Sequence, residues 1–277
     1  MDWWQALILG IAQGLTEFLP VSSSGHLTLL QELMNVEGDD DLLKAFDVAM
    51  HAGTFIAVVG YFRHDMGRML AAWGQSVARR EVKTADQRVA WLIFVGTLPA
   101  IAAYLFFGDL LDRLDDKMVL VASLLIAVSF VFLLADWLHD RAERAGELLQ
   151  FEGLRWYHGV FVGIAQAVAL IPGTSRSGAT IAMSMMLKVD RQTAARFSFL
   201  LGTPAVFGAL VVKLPDLRHG FDDPSFVLAT IVGFIGSVIA GFWAIDVLVK
   251  FLGKHRLSWF ALYRIPVGIF FLWYFTR

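Results

Sequence analysis

The stretch GIAQGLTEFLPVSSSGH, residues 10–26, decides the fold of this chain, because part of it occurs twice. The opening GIAQ, residues 10–13, returns 153 residues later as residues 163–166. In each copy an apolar segment is followed by a proline (Pro20, Pro172), a serine-rich turn and a second apolar segment. Each copy therefore predicts a helical hairpin that is interrupted in its middle.

An interrupted helix is costly inside a bilayer, because the freed backbone groups must find hydrogen-bond partners there. Such breaks are tolerated where they line a buried polar site. Two breaks at matching places in two halves of one chain indicate a single composite site near the centre of the protein.

The composition is that of a membrane protein. The 277 residues are 57% hydrophobic and 17% charged, whereas a soluble domain carries about 25% charged residues. The chain has no cysteine, which excludes disulfides and a thiolate nucleophile. A formal net charge of −2 gives no basic field for nucleic acid.

Six further segments are long and apolar enough to cross a hydrocarbon core of about 30 Å, which takes roughly 20 helical residues. They lie near 45–63, 89–107, 118–138, 194–213, 225–250 and 258–276. The hairpins, 2–34 and 156–188, have arms of about 15 residues, the length of re-entrant helices.

We therefore predict an all-α integral membrane protein with an inverted-topology repeat. Each half is a re-entrant helical hairpin plus three transmembrane helices. The chain is a single membrane domain, in which residues 1–138 form the first repeat and 156–277 the second. Residues 139–155 form a cytoplasmic linker between them.

Basic residues predict the orientation. Fifteen of the 23 Lys and Arg residues fall in 63–88, 141–155, 188–196 and 250–256, which the positive-inside rule places in the cytoplasm. The first hairpin then enters from the outer face and the second from the cytoplasmic face. Only two basic residues, Arg176 and Arg264, lie within the membrane in this arrangement.

The second hairpin has the composition of an oxyanion site. Its turn holds Gly173, where backbone amides can approach a ligand, and a guanidinium at Arg176 that binds phosphate oxygens. Hydroxyl donors surround that arginine, at Ser175, Ser177 and Thr180. Serine-rich turns also cap buried helix ends without a ligand, but an unpaired buried arginine costs several kcal/mol.

The first hairpin supplies different groups. Gln13 and Glu17 share a helix face, and Ser22, Ser23 and His26 follow at the turn. A carboxylate can hold Mg²⁺ or Ca²⁺, a hydroxyl can attack phosphorus, and an imidazole can move a proton. These are the parts of a phosphoryl-transfer site, although His26 alone could equally be a buried structural histidine.

Three further residues are weaker candidates. Arg264 could be a second phosphate clamp, or its side chain could extend to the interface from a site about 9 Å from the helix start. Asp47 and His51, four residues apart, could pair with each other or with water.

Residues 13–26 resemble the first signature of the bacterial undecaprenyl-pyrophosphate phosphatase (bacitracin-resistance) family: Glu or Gln, three residues, Glu, a serine-rich turn and His. Residues 172–180 resemble the second signature, Pro-Gly-x-Ser-Arg-Ser-x-x-Thr, and Tyr263-Arg264 is similar to the C-terminal arginine motif. Many members have Glu where this chain has Gln13, which removes one anionic metal ligand.

The resemblance implies an enzyme of the bacterial cytoplasmic membrane that hydrolyses undecaprenyl pyrophosphate to undecaprenyl phosphate, with its site facing the periplasm or cell exterior. It implies a divalent cation, Mg²⁺ or Ca²⁺, at Glu17 and Gln13, and catalysis by Glu17, Ser23, His26 and Arg176. The pyrophosphate would bind at Arg176, Arg264 and the turn residues Ser22, Gly173, Ser175, Ser177 and Thr180. Partners are the lipid substrate and the bilayer, with a homodimer possible.

Two questions stay open from the residues. The nucleophile can be Ser23, His26 or an activated water. A transporter or flippase of a phosphorylated polyprenyl lipid or small anion would also use inverted repeats and an anion cradle, but it would not need the serine, imidazole and carboxylate.

Overall fold

The computed structural model describes residues 1–36, 40–115, 117–218 and 223–277. These residues form eleven α-helices, with bounds α1 Trp3–Phe18, α2 Ser23–Leu33, α3 Asp40–Tyr61, α4 Arg63–Arg79, α5 Ala85–Asp115, α6 Met118–Arg144, α7 Trp156–Val168, α8 Arg176–Met186, α9 Arg191–Lys213, α10 Pro224–Leu252 and α11 Ser258–Phe275. Within these ranges the β-structure is one isolated bridge between Leu149 and Val189. The all-α prediction is confirmed.

Six of the described helices are long and apolar enough to cross a membrane: α3, α5, α6, α9, α10 and α11. They coincide with the six predicted spans, so the protein is a multi-pass membrane protein. Two run further than predicted: α5 to Asp115 and α6 to Arg144. The end of α6 therefore occupies part of the predicted linker 139–155.

The two hairpins break where the sequence predicts. The first helix of each hairpin ends before the proline, at Phe18 in α1 and Val168 in α7. The second helices begin after Ser22 and Ser175, whose backbones have nearly the same unusual conformation, with φ of 72° and 73°. Non-glycine residues rarely adopt positive φ, and such a backbone persists only where the surrounding structure holds it.

Glycines bring each hairpin against a spanning helix of the other half. In α1, Gly10 lies against the backbone of Gly233 in α10, and in α7, Gly163 lies against the backbone of Gly96 in α5. A Cβ at either hairpin glycine would overlap with the facing carbonyl oxygen. Small residues permit this close backbone approach, which drives helix association in lipid. The inverted relation of the two halves stays a prediction.

Ion pairs gather the predicted basic segments at one end of the helices. Arg196 binds Asp65 on α4 (3.0 Å), and Arg191 binds Asp136 and Asp140 on α6 (3.3 and 2.5 Å). The α4 helix was not predicted from the sequence. It is amphipathic, burying Met69, Ala72 and Ser76 while exposing charged side chains.

Candidate active site

Arg264 of α11 connects the two hairpin turns. It is fully buried, and it donates to the carbonyl of Pro20 in the first turn (3.1 Å) and to those of Gly173 and Thr174 in the second (3.0 and 3.3 Å). Its Nε donates to the carbonyl of Leu125 in α6 (3.2 Å). A guanidinium carries five N–H donors in one plane, so this one residue satisfies backbone acceptors on three elements.

This position of Arg264 differs from one of the two sequence interpretations. Its side chain does not extend to the interface, because it has no exposed surface. Its donors serve carbonyl oxygens in this conformation rather than facing the cleft described below. Its expected contact with pyrophosphate stays a prediction, and its observed contacts are those of a brace between the turns.

Glu17 and Arg176 meet where the hairpins face each other. The Arg176 Nη2 lies 2.5 Å from Glu17 Oε1 in an ion pair. The other oxygen, Oε2, accepts from the Ser23 hydroxyl (3.0 Å) and the Gln13 amide (3.3 Å). Glu17 and Arg176 side chains retain 12% and 23% of their exposure, so a ligand can reach them. Four of the predicted site residues therefore form one connected group.

The surroundings of Glu17 include a residue that the sequence marked only weakly. The Nε2 of His51, on α3, lies 4.0 Å from Glu17 Oε2, and its Nδ1 lies 2.8 Å from the carbonyl of Asp47. Asp47 and His51 therefore contact each other, as one sequence expectation had it, through the backbone carbonyl of Asp47. The other ring nitrogen of His51, Nε2, is directed toward the carboxylate of Glu17.

The amide of Gln13 has one satisfied and one unsatisfied end. Its Nε2 donates to Glu17, and its Oε1 is buried without a hydrogen-bond partner. A buried acceptor without a donor is unfavourable. Carboxylate and amide oxygens are the ligands that Mg²⁺ and Ca²⁺ prefer. Glu17 and Gln13 therefore fit a divalent cation, with one anionic ligand instead of two.

A small cleft lies between α3 and α9 beside this group. The polar residues that line it are Glu17, Thr54, Arg176, Ser177, Ser198 and Thr203. Its walls are mostly apolar, with Phe18, Phe55, Val58, Phe199 and Val206. The cleft therefore combines charged and hydroxyl groups with an apolar lining.

The hydroxyls of the second hairpin mostly support the turn. The Ser175 Oγ accepts from the amide of Gly178 and lies 3.3 Å from the Ser177 Oγ. Thr180 is fully buried, with its hydroxyl 2.5 Å from that of Ser198 on α9. Among the predicted pyrophosphate ligands of this hairpin, Arg176 and Ser177 line the cleft.

The matching contacts occur in the first hairpin. Ser22 is buried, with its hydroxyl 3.4 Å from that of Ser24. Gly173, in the other turn, has φ of 88° and lies against the backbone of Val121, so a side chain there would be strained and would overlap with α6. Ser22 and Gly173 thus shape the turns, and their predicted pyrophosphate contacts stay predictions.

His26 lies apart from the Glu17 group. Its Nδ1 is 2.7 Å from the carbonyl of Ser22, and its Nε2 is 2.8 Å from the hydroxyl of Tyr263 on α11. The hydroxyl of Ser23 goes to Glu17 rather than to His26. A direct proton transfer from Ser23 to His26, one of the sequence alternatives, would therefore need a rearrangement of this turn.

These elements define a polytopic membrane protein in which a hydroxyl, a carboxylate and a guanidinium meet between two helical hairpins, beside a mostly apolar cleft. That class contains enzymes and carriers for phosphorylated lipids. The match to known families is more specific: residues 6–270 fit the model described as bacitracin resistance protein BacA, and the chain belongs to that family.

Similar proteins share nearly the full length. A protein named undecaprenyl-diphosphatase from Mycobacterium ulcerans (strain Agy99) is 38% identical over 275 residues, covering 97% of this chain and 95% of the relative. One of the same name from Mycolicibacterium smegmatis (strain ATCC 700084 / mc(2)155) is 40% identical over 275 residues, with the same coverage. Another, from Mycobacterium tuberculosis (strain ATCC 25618 / H37Rv), is 38% identical over 274 residues, covering 97% and 93%.

Proposed function

We propose that this protein is an undecaprenyl-diphosphate phosphatase, which hydrolyses undecaprenyl pyrophosphate to undecaprenyl phosphate and inorganic phosphate. The observation behind the proposal is the chain of contacts from the Ser23 hydroxyl through Glu17 to Arg176, within a membrane protein whose relatives have that name. The reaction would recycle the lipid carrier for peptidoglycan synthesis and give resistance to bacitracin.

The shape of the cleft supports an amphipathic substrate. The pyrophosphate would lie at the end formed by Glu17 and Arg176, and the polyprenyl chain would lie along Phe55, Val58 and Val206 between α3 and α9. Apolar contact contributes roughly 25 cal/mol per Å² of buried surface. Burial of the polyprenyl chain would therefore provide most of the affinity, and the polar residues would hold the pyrophosphate in place.

Substrate binding would exchange one anion for another at Arg176. Glu17 holds the guanidinium in the structure, and a pyrophosphate carries more negative charge and more acceptor oxygens than a carboxylate. The planar guanidinium binds phosphate oxygens in pairs. Release of Arg176 from Glu17 would leave the carboxylate free to act as a base.

Ser23 is the nucleophile that the contacts favour. Its hydroxyl already donates to Glu17, so its proton can pass to that carboxylate while Oγ bonds to the terminal phosphorus. The bond from that phosphorus to the bridging oxygen breaks, and undecaprenyl phosphate leaves. Water then attacks the phosphoserine, Ser23 recovers its proton from Glu17, and inorganic phosphate is released.

Glu17 and Gln13 would hold the divalent cation, Mg²⁺ or Ca²⁺. When bound, such an ion supplies positive charge close to the phosphate oxygens. Two groups of the chain would also stabilise negative charge: the Arg176 guanidinium and the Ser177 hydroxyl would donate hydrogen bonds to the phosphoryl group during its transfer. The unpaired Oε1 of Gln13 supports this assignment.

We further infer that the protein resides in the bacterial cytoplasmic membrane with its site open to the periplasm or cell exterior. The support is the gathering of basic segments at one end of the helices, as the positive-inside rule requires of a cytoplasmic face. A homodimer is compatible with this arrangement.

The direct test is phosphate release from undecaprenyl pyrophosphate by purified protein in detergent, with and without EDTA. We expect cation-dependent release that falls at least about 100-fold in Arg176→Ala, because one preorganised charged donor contributes that much. Glu17→Gln keeps the shape but removes both the base and the anionic ligand of the cation, so phosphate release should fall by at least a similar factor. Arg113→Ala, at an exposed arginine of α5, is the matched control.

Rapid acid quenching of the reaction distinguishes between the candidate nucleophiles. Phosphate trapped on Ser23, and lost in Ser23→Ala, is the expected result; full turnover without a trapped phosphoenzyme would favour direct attack by water. No release from a folded parent protein that still binds the lipid would reject the phosphatase and favour the transporter.

A further inference from the structure

Both nitrogens of His26 are engaged, and their partners determine where its proton lies. A carbonyl oxygen can only accept a hydrogen bond, so the contact between Nδ1 and the carbonyl of Ser22 (2.7 Å) places a proton on Nδ1. In the neutral ring Nε2 then carries the lone pair. The hydroxyl of Tyr263, 2.8 Å away, donates to it.

The same helix fixes the plane of the ring. The rings of Tyr263 and His26 are stacked, 12° from parallel with centroids 5.8 Å apart. Phe271, two turns further along α11, meets the imidazole edge-on at 5.7 Å. The imidazole is therefore held in a single orientation, by hydrogen bonds at both nitrogens and by aromatic rings on two sides.

Tyr263 also links His26 to the brace between the turns. It directly precedes Arg264 in the sequence, and Arg264 donates to the carbonyl of Pro20 in the same turn whose Ser22 carbonyl accepts from His26. Tyr263 is 46% exposed, and its hydroxyl contacts His26 Nε2. One short segment of α11 therefore holds both hairpin turns and the only histidine of the first hairpin.

We infer that Tyr263 is a positioning residue for the reaction, which keeps His26 oriented with the lone pair on Nε2. The inference rests on the proposed function. Ser23 and His26 are three residues apart at the start of α2 and share a helix face. When the Tyr263 hydroxyl turns away from Nε2, that lone pair can accept a proton from the water that attacks phosphoserine. The new bond joins the water oxygen to phosphorus, and the bond to Ser23 Oγ breaks as that oxygen takes its proton from Glu17.

The test is Tyr263→Phe, which removes the hydroxyl and keeps the stacked ring. We expect kcat for phosphate release to fall about tenfold, the effect of one lost hydrogen bond, with KM unchanged. The acidic limb of the pH–rate profile should move to higher pH, because the neutral imidazole loses a donor that favours it. Arg264 keeps its own contacts in this variant, so the change reports the hydroxyl.

Tyr274→Phe is the matched control, because it removes a hydroxyl from the same helix where the ring packs against Phe270 and Phe275. In protein with ¹⁵N-labelled histidine, the Nε2 resonance of His26, assigned with His26→Gln, should shift in Tyr263→Phe and stay unchanged in the control.

The outcomes separate this inference from the proposed function. A parent protein without phosphate release would reject the phosphatase itself. With an active parent, a Tyr263→Phe variant whose kcat and pH profile equal those of the parent, or whose kcat rises, would overturn the positioning role.

Discussion

At the scale of single residues, the two arginines predicted to lie within the membrane have different partners and therefore different roles. Arg176 is partly exposed and paired with a carboxylate that a phosphate can replace. Arg264 is fully buried and bonded to backbone carbonyls. Carbonyls at the broken turns have no helical partners, so Arg264 removes a cost that the hairpins would otherwise impose.

Replacing Arg264 by alanine should destabilise the protein. At least three turn and helix carbonyls would lose their donor, and each buried unsatisfied group costs about 1–3 kcal/mol. We expect a loss of at least about 3 kcal/mol and a lower midpoint of thermal unfolding in detergent, followed by size-exclusion chromatography. Arg113→Ala should leave the midpoint unchanged. An Arg264→Ala protein as stable as the parent, but with a much higher KM, would instead identify Arg264 as the phosphate clamp.

The sequence predicted much of the site because its members are local. Gln13, Glu17 and Ser23 belong to one hairpin, and the repeat placed Arg176 opposite them. The sequence did not place His51 or Tyr263, because their contacts with Glu17 and His26 depend on how other helices pack. Thr180 fits a ligand motif, yet its hydroxyl turns to Ser198, a direction that spacing along the chain cannot reveal.

At the scale of helices, close glycine contacts determine how the hairpins sit. Gly10 and Gly163 face backbone atoms rather than flexible side chains, so the facing helix cannot easily move aside for a larger residue. The six spans were predictable from length and hydropathy. The α4 helix was not, because a short amphipathic helix lacks a long apolar segment and owes its stability to packing of Met69 and Ala72.

Adding one methyl group at a hairpin glycine should therefore show whether close packing or helix propensity has the larger effect on stability at that position. Gly10→Ala and Gly163→Ala should each destabilise the protein by about 1–3 kcal/mol, the cost of overpacking. Gly208→Ala, in α9 with open space around the added Cβ, should be neutral or stabilise by up to about 1 kcal/mol. The measurement is thermal unfolding of the three proteins under identical detergent conditions. Equal stability of all three would contradict the packing role of the hairpin glycines.

At the scale of the whole molecule, the two halves depend on each other. The first hairpin packs through Gly10 on α10, and the second packs through Gly163 on α5. The Glu17–Arg176 pair joins hairpins 159 residues apart in the chain. Each half alone would expose these glycine faces and leave one charge of the pair without its partner, and unpaired charges in the membrane are costly.

Cutting the chain between Gly146 and Glu147 tests this dependence. Gly146 is exposed with φ of 69° and open space around it, and the cut leaves Leu149 with its partner Val189. We expect residues 1–146 or 147–277, expressed alone, to give no monodisperse peak in size-exclusion chromatography. Expressed together, they should elute as one complex that releases phosphate. A Gly10→Ala first half should pair less well, because its added methyl meets Gly233 of the second half. A single half that is monodisperse and heat-stable would show instead that each repeat folds as an independent unit.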